Sequence, residues 1–283
     1  MSEDYVGAAV GLALCEDIPG RDLTTDFTVK PSAVAQAALV TREAGLIAGL
    51  GVFAAVFKAL DPGVKVRARS GAEGGWFERG EVVGEVRGRA RSILSGERVA
   101  LNFIQRLSGI ATLTRRFVDR VDGTGVRILD TRKTTPGLRL LEKYAVTVGG
   151  GFNHRLSLSD LVLVKDNHIA AAGGIREAVA RVRGRKTDAL VEVEIPPETD
   201  LGDLRDLDAD ILMFDNWRPG ALRTAIARAK RFPHRPAIEV SGRITLGNVR
   251  QYALTRPDFI SVGRLTHSAP ALDLGLDFLS GPV

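Results

Sequence analysis

Asp130-Thr131-Arg132-Lys133-Thr134-Thr135-Pro136-Gly137 sets one acid, two adjacent cations and three hydroxyls between an apolar run at 126–129 and a Pro-Gly turn. The run reads as a buried strand and the turn as the entry to a helix. Arginine offers a planar fork that grips a carboxylate or phosphate through two bonds, and lysine adds a mobile point charge. This mixture suits a site for an anionic small molecule. A second cationic loop follows at Gly149-Gly150-Gly151-Phe152-Asn153-His154-Arg155, and Lys165-Asp166-Asn167-His168 closes a further apolar run. Drawn together, Arg132, Lys133, His154, Arg155 and Lys165 would repel one another, by ~4 kcal/mol for two unit charges about 4 Å apart at an effective dielectric near ~20. A multiply charged anion would offset that cost. Blander readings exist: a solvated helix entry for Arg132-Lys133 and a structural ring for His154. Three such loops in so short a span make them the weaker choice.

The elements that position these loops divide into two grammars. The first hundred residues place a helix at 4–14 and an acidic turn at 16–22. Strands then follow at 33–41, 64–69 and 81–88, with a helix at 52–60. Mixed strands with one intervening helix read as an α+β sandwich. A helix from about Ile93 carries Leu101, Ile104 and Leu107 on its apolar face, and Ser108-Gly109 is expected to interrupt it before it continues to Val121. From residue 126 onward, strands at 126–129, 161–164, 190–193, 211–214, 237–240 and 259–262 alternate with helices at 138–147, 175–182, 198–204, 219–229 and 246–253. Repeated βα units imply a parallel sheet covered by helices. No glycine-rich fingerprint follows the first strand, so a barrel is favoured over an open sheet. The expected fold is α/β: an N-terminal α+β sandwich over 1–108 and an incomplete barrel of six or seven strands over 109–283. The tail from about 267 to 283 is a candidate to return to the first domain, and 271–279 reads as a short helix.

Asp130, Lys165, Glu194, Asp215, Ser241 and Gly263 stand just past the six strands. In a parallel barrel these ends share one face, where active sites are built. Glu194 and Asp215 suit Mg2+ or sugar hydroxyls, and the residues alone leave both roles open. Glu192, two residues before Glu194, shares its face and reads either as a further ligand or as half of an interior ion pair. Ser241-Gly242-Arg243 and Gly263-Arg264 are glycine turns after the closing strands, where backbone N–H groups can approach a phosphate. A phosphate seat, a diol or metal seat and a cationic pocket together have the shape of a phosphoribosyl-transfer site with an acidic acceptor.

Composition narrows the alternatives. With 283 residues, 45% hydrophobic and 26% charged, the chain can bury a full core. Its formal charge of +5 admits nucleic acid, an anionic membrane or acidic substrates, but the cations are dispersed, which speaks against nucleic acid. The single cysteine, Cys15, forms no internal disulfide and argues against a zinc site. Glu3, Asp4, Glu16 and Asp17 replace the basic segment of a signal peptide, and no run approaches the ~20 apolar residues of a membrane span. A cytoplasmic protein with neither nucleic-acid nor membrane partners is expected.

The motif from Asp130 to Arg139, with Lys143-Tyr144-Ala145, the glycine triplet, Asn153-His154-Arg155, Lys165-Asp166-Asn167-His168, residues 107–112 and the turn at 16–25, resembles the quinolinate phosphoribosyltransferase family, also called carboxylating nicotinate-nucleotide pyrophosphorylases. The resemblance covers nearly the whole chain. It implies an N-terminal sandwich and an incomplete barrel. It also implies transfer of phosphoribose from phosphoribosyl pyrophosphate to quinolinate, giving nicotinate mononucleotide, pyrophosphate and CO2 with Mg2+, in NAD synthesis. By the same resemblance Arg132, His154, Arg155 and Lys165 hold the quinolinate carboxylates, with Arg98 reaching the site of the neighbouring subunit. Lys133 and Lys165 face the pyrophosphate, and Glu194 and Asp215 lie near ribose and metal; the glycine turns at Ser241, Gly242, Gly263 and Arg264 remain the phosphate seat read from the residues themselves. Lys133, Lys165, Glu194 and Asp215 are then the catalytic set. A homodimer with shared sites, or a higher oligomer, is implied. The rivals are a molybdenum-transport paralogue of the same fold, which lacks the lysine matching Lys165, a nicotinate phosphoribosyltransferase, and a non-catalytic anion or nucleic-acid binder.

Overall fold

A computed structural model describes residues 2–185 and 187–279 of the chain. In chain order the elements are α1 (Glu3–Asp17), α2 (Leu23–Thr28), β1 (Val34–Thr41), β2 (Gly45–Leu46), α3 (Leu50–Leu60), β3 (Lys65–Ala68), β4 (Trp76–Phe77), β5 (Val82–Arg89) and α4 (Ala90–Val121). There follow β6 (Arg127–Leu129), α5 (Arg139–Val148), β7 (Val162–Val164), α6 (Asp166–Ala172), α7 (Ile175–Arg183), β8 (Val191–Ile195) and β9 (Ile211–Asp215). The chain closes with α8 (Pro219–Ala229), β10 (Ala237–Ser241), α9 (Val249–Ala253), β11 (Phe259–Ser261), α10 (Arg264–His267) and β12 (Leu274–Phe278). Two compact units result. One gathers the chain up to Arg115, Thr134–Gly150 and the segment from Ser268, and the other gathers Arg116–Lys133 and Gly151–His267. The expected boundary at 108/109 falls inside the continuous helix α4.

The first unit is built on an antiparallel sheet of order β12-β1-β5-β3, with a separate β2-β4 pair. On β5, Val83 and Val86 are buried while Glu85 and Arg87 face solvent, and Lys65 and Arg67 of β3 are also exposed. One apolar and one wet face is the ordinary state of such a sheet. The core beside it includes Phe53 and Phe57 of α3, which meet edge to face at 5.2 Å, with Ile93, Ile104 and Leu107 of α4. The entry of α3 is capped by the Glu73 carboxylate, which accepts the N–H groups of Gly49 (2.8 Å) and Leu50 (2.9 Å) and the Tyr144 hydroxyl (2.7 Å).

Three expectations are corrected. Ser108-Gly109 does not break α4. The Ser108 hydroxyl accepts the Ala48 N–H (3.0 Å) and donates to the Ala48 carbonyl (3.2 Å). A Cβ on Gly109 would lie 1.9 Å from the Pro270 carbonyl oxygen, so this glycine permits a close approach rather than a turn. The tail at 271–279 is not a helix: β12 pairs antiparallel with β1, from Thr41↔Leu274 to Ala37↔Phe278. Residues 198–204 form two separate turns rather than a helix, with 199–200 between them in no regular element. Pro196-Pro197 at its start and the acidic Asp200 and Asp203 within so short a segment favour turns.

The second unit carries a parallel sheet of order β6-β11-β10-β9-β8-β7. Six strands are present, and Leu129 also bridges to Phe152 in the loop before β7. Among the described residues β6 and β7 do not pair, so the ring is left incomplete. The sheet nevertheless curls. His154, Glu192 of β8 and Glu239 of β10 come within 4.8 Å of one another although β9 lies between β8 and β10. Side chains from alternate strands meet in this way inside a barrel.

Candidate active site

Strand alternation selects the residues that face the barrel interior. Parallel registers pair Leu163 with Glu192, Glu194 with Met213, Met213 with Glu239, and Asp215 with Ser241. These side chains therefore share one face, together with Lys165 and Ser261. Val191, Val193, Leu212, Phe214, Ile238 and Val240 take the opposite face and are buried. The inner residues other than Glu192 line a cavity of about 370 Å3 with Thr131, Arg132, Lys133, His154 and Arg155.

The cationic loops are tightly held. The Lys133 N–H donates to Thr131 Oγ1 (3.1 Å), and the Thr266 hydroxyl donates to the Lys133 carbonyl (2.7 Å). Buried Asp130 accepts the His154 N–H (2.9 Å), which ties the second loop to the end of β6. Arg155 donates through Nη1 to the Leu161 carbonyl (3.0 Å). The Arg155 guanidinium is drawn below its usual pKa, first by burial and then by the neighbouring Arg132 charge. Burial is the larger cause, and the Arg132 charge adds to it. Lys165, at the start of α6, places Nζ 2.7 Å from Glu194 Oε2. The side chain of Asn216 donates to Asp215 in a short contact.

The loops after β9 and β10 are conformationally demanding. Asn216 and Arg243 have φ of 58° and 51°, and Gly242 has φ of 95°. A Cβ on Gly242 would meet Asn216 Oδ1 at 2.4 Å, and the Asn216 N–H donates to the Ser241 carbonyl (3.0 Å). Strain of this kind collects where a loop must hold a functional shape.

Beneath the cations lies a second layer. His154 Nδ1 accepts the Arg155 N–H (2.7 Å), so the hydrogen-bond network puts the ring proton on Nε2. Nε2 sits 3.0 Å from Glu192 Oε2 and 3.6 Å from Glu239 Oε2. Burial pushes the Glu192 carboxyl up to about 7, against the pull of Arg155 and Lys165. Burial, and then the charge of Glu192, push Glu239 up to about 8. A histidine and two acids have the composition of a metal site, but Nε2 carries the proton and offers no lone pair. The oxygen donors that suit Mg2+ are Glu194 and Asp215, which are partly exposed in the cavity.

Arg132, Lys133, His154, Arg155, Lys165, Glu194, Asp215 and Ser241 are thus brought together as expected from the strand ends. Gly242, Gly263 and Arg264 do not line the cavity. Gly263 backs it, since a Cβ there would stand 3.2 Å from Lys133 Cδ. Arg98 is exposed on α4 in the first unit. The signature motif is divided between units. Thr135 donates its N–H (3.0 Å) and hydroxyl (2.7 Å) to buried Glu142, which also pairs with Arg106 (2.8 Å). Glu239, Met213, Leu163 and Ser261 went unnoticed in the sequence, although Glu239 precedes Ser241 by the same two-residue step that links Glu192 to Glu194.

A curled parallel sheet whose strand ends crowd four cations around two carboxylates defines an α/β-barrel enzyme that handles a polyanionic substrate. Residues 22–108 match the model of the quinolinate phosphoribosyl transferase N-terminal domain, and residues 110–277 match that of the C-terminal domain. The chain belongs to the quinolinate phosphoribosyltransferase family. A probable nicotinate-nucleotide pyrophosphorylase [carboxylating] of Bacillus subtilis is 43% identical over 263 residues, 93% of this chain and 89% of that protein. The human nicotinate-nucleotide pyrophosphorylase [carboxylating] is 40% identical over 282 residues, 98% of this chain and 93% of that protein. The crystal structure of NadC from Streptococcus pyogenes superposes with a TM-score of 0.92 at 38% identity, covering 99% of both chains. Among the described residues no helix is long and apolar enough to cross a membrane.

Proposed function

We propose that the protein transfers phosphoribose from phosphoribosyl pyrophosphate to quinolinate and releases CO2, forming nicotinate mononucleotide for NAD synthesis. The observation that carries this reading is the single cavity in which Arg132, Lys133, Arg155 and Lys165 face Glu194 and Asp215. Arg132, Arg155 and Lys165 grip the two ring carboxylates, and His154, braced by Glu192 below, fixes the loop that presents Arg155. Leu163 and Met213 offer the apolar surface a pyridine ring needs. Lys133, with Ser241 and the turns at Gly242 and Gly263-Arg264, takes the phosphate groups.

The C1–oxygen bond of the ribose breaks as the ring nitrogen of quinolinate attacks C1. Lys133 and Lys165 stabilise the departing pyrophosphate, while Glu194 and Asp215 steady the positive charge on the sugar. Mg2+ held by Glu194, Asp215 and substrate oxygens would neutralise further pyrophosphate charge. The new pyridinium accepts the electron pair left when the 2-carboxylate departs as CO2. No side-chain nucleophile is needed, so catalysis rests on positioning and electrostatics. We further propose a cytoplasmic homodimer in which Arg98 reaches the neighbouring subunit's site. Light scattering that shows a fully active monomer would overturn that arrangement. The function itself is tested by supplying quinolinate, phosphoribosyl pyrophosphate and Mg2+. Equimolar CO2 and nicotinate mononucleotide are expected, and pyrophosphate release without CO2 contradicts the assignment.

A further inference from the structure

The mechanism leaves one atom unaccounted for. When CO2 departs, the electron pair of the broken bond stays on C2 of the ring, and a proton must arrive there. We propose that Glu239 is the acid that returns this proton to C2. The inference rests on the function proposed above.

The other groups lining the cavity are poorly suited to the task. Arg132 and Arg155 do not give up protons, and their charges are needed on the carboxylates. Lys165 donates to Glu194 at 2.7 Å, and losing its proton would remove a cation from the pyrophosphate side. His154 accepts through Nδ1 and directs Nε2 to the two glutamates. The hydroxyls of Thr131, Ser241 and Ser261 are very weak acids. Glu239 lines the same cavity from below, only 1% exposed. Its Oε2 faces His154, and Oε1 is buried without a hydrogen bond of good geometry, although the Ser261 hydroxyl and the Glu192 carboxyl are close enough to act on the group. Both Glu192 oxygens and the Ser261 hydroxyl likewise lack such a bond, but Glu192 does not line the cavity, so Glu239 is the acid that brings such a buried carboxyl to it.

The charged groups facing Glu239 are Glu192 from β8 and His154 from the loop before β7. Burial and Glu192 keep its carboxyl protonated up to about 8. In the step, the Glu239 O–H bond breaks and the C2–H bond forms. Glu239 is left as carboxylate and recovers its proton from water after product leaves. No oxidant, reductant or further reactant is required.

The test is Glu239→Gln, which keeps shape and loses the acid, in the full-length protein with quinolinate, phosphoribosyl pyrophosphate and Mg2+. In the parent, kcat for nicotinate mononucleotide is expected to fall as pH rises through about 8, because the proton is then lost. The variant is expected to lose roughly 100-fold in kcat, the scale of a missing general acid, with KM for quinolinate little changed and the alkaline fall absent. Glu239→Asp, which keeps a protonated carboxyl at shorter reach, should recover part of the loss. It also serves as the probe if the Gln variant does not fold. Glu239→Gln with kcat within about threefold of an active parent, and the same alkaline fall, overturns the inference alone. A parent that makes no nicotinate mononucleotide overturns the underlying reading and this inference with it.

Discussion

The antiparallel sheet of the first unit and the parallel sheet of the second both alternate apolar and polar side chains, yet the polar faces end up in opposite places. On β3 and β5 the charged residues Lys65, Arg67, Glu85 and Arg87 point to water. On β8, β9 and β10 the polar residues Glu192, Glu194, Asp215, Glu239 and Ser241 point into the curled sheet, and their apolar neighbours take the other face. Strands of a parallel sheet are usually apolar on both faces, because helices cover one and the core fills the other. An inward polar face therefore costs stability, and only a ligand-binding cavity explains keeping it. The same period of two is solubility in one unit and chemistry in the other.

The largest effect expected from breaking this contrast is on activity. Arg132→Ala or Lys165→Ala should each lower kcat/KM for quinolinate by roughly 100-fold or more, the scale of losing one preorganised charge at a reacting centre. Near-parental turnover in a folded variant would remove these residues from the site. A mutation away from the cavity should act on stability instead. Gly109→Ala places a Cβ 1.9 Å from the Pro270 carbonyl oxygen, so α4 and the tail must separate. A loss of about 1–3 kcal/mol by denaturant titration is expected, as for other overpacked sites.

The inward acids also predict a pH signature. Glu192 and Glu239 keep protons up to about 7 and 8, against an ordinary value of 4.5. Across that window the folded protein binds more protons than the unfolded chain, so stability falls as pH rises. Thermal melts between pH 5 and 8, a range set by these values, should show that fall in the parent. It should be flattened when both residues are changed to glutamine, and an unchanged slope would contradict the buried acid pair. The smallest effect belongs to the outward face. Arg87→Ala should change stability by less than about 0.5 kcal/mol and leave turnover alone, as surface substitutions usually do.

Much of this contrast was legible in the chain. The strands around Asp130, Lys165, Glu194, Asp215 and Ser241 lie close to where the apolar runs place them, and the polar residue after each run lines the cavity except Asp130, which is buried beneath the His154 loop. Glu239 was equally legible, since it stands two residues before Ser241 on the same face. Other features were hidden for physical reasons. Gly109 reads as a helix breaker because sequence records its missing side chain but not the Pro270 carbonyl that requires it. β12 forms only by pairing with β1, more than two hundred residues earlier, so a helix for the tail rested on local pattern alone. The division of the signature between two units, with Thr135 bound to Glu142 rather than to the cationic loop, depends equally on tertiary packing.

Whether the inward polar face is built for a pyridine diacid is tested most directly by comparing kcat/KM for quinolinate and nicotinate with phosphoribosyl pyrophosphate and Mg2+ present. A preference for quinolinate of roughly 1000-fold or more is predicted, because the monoacid leaves cations of the cavity without a partner. Equal use of the two acids would contradict the account.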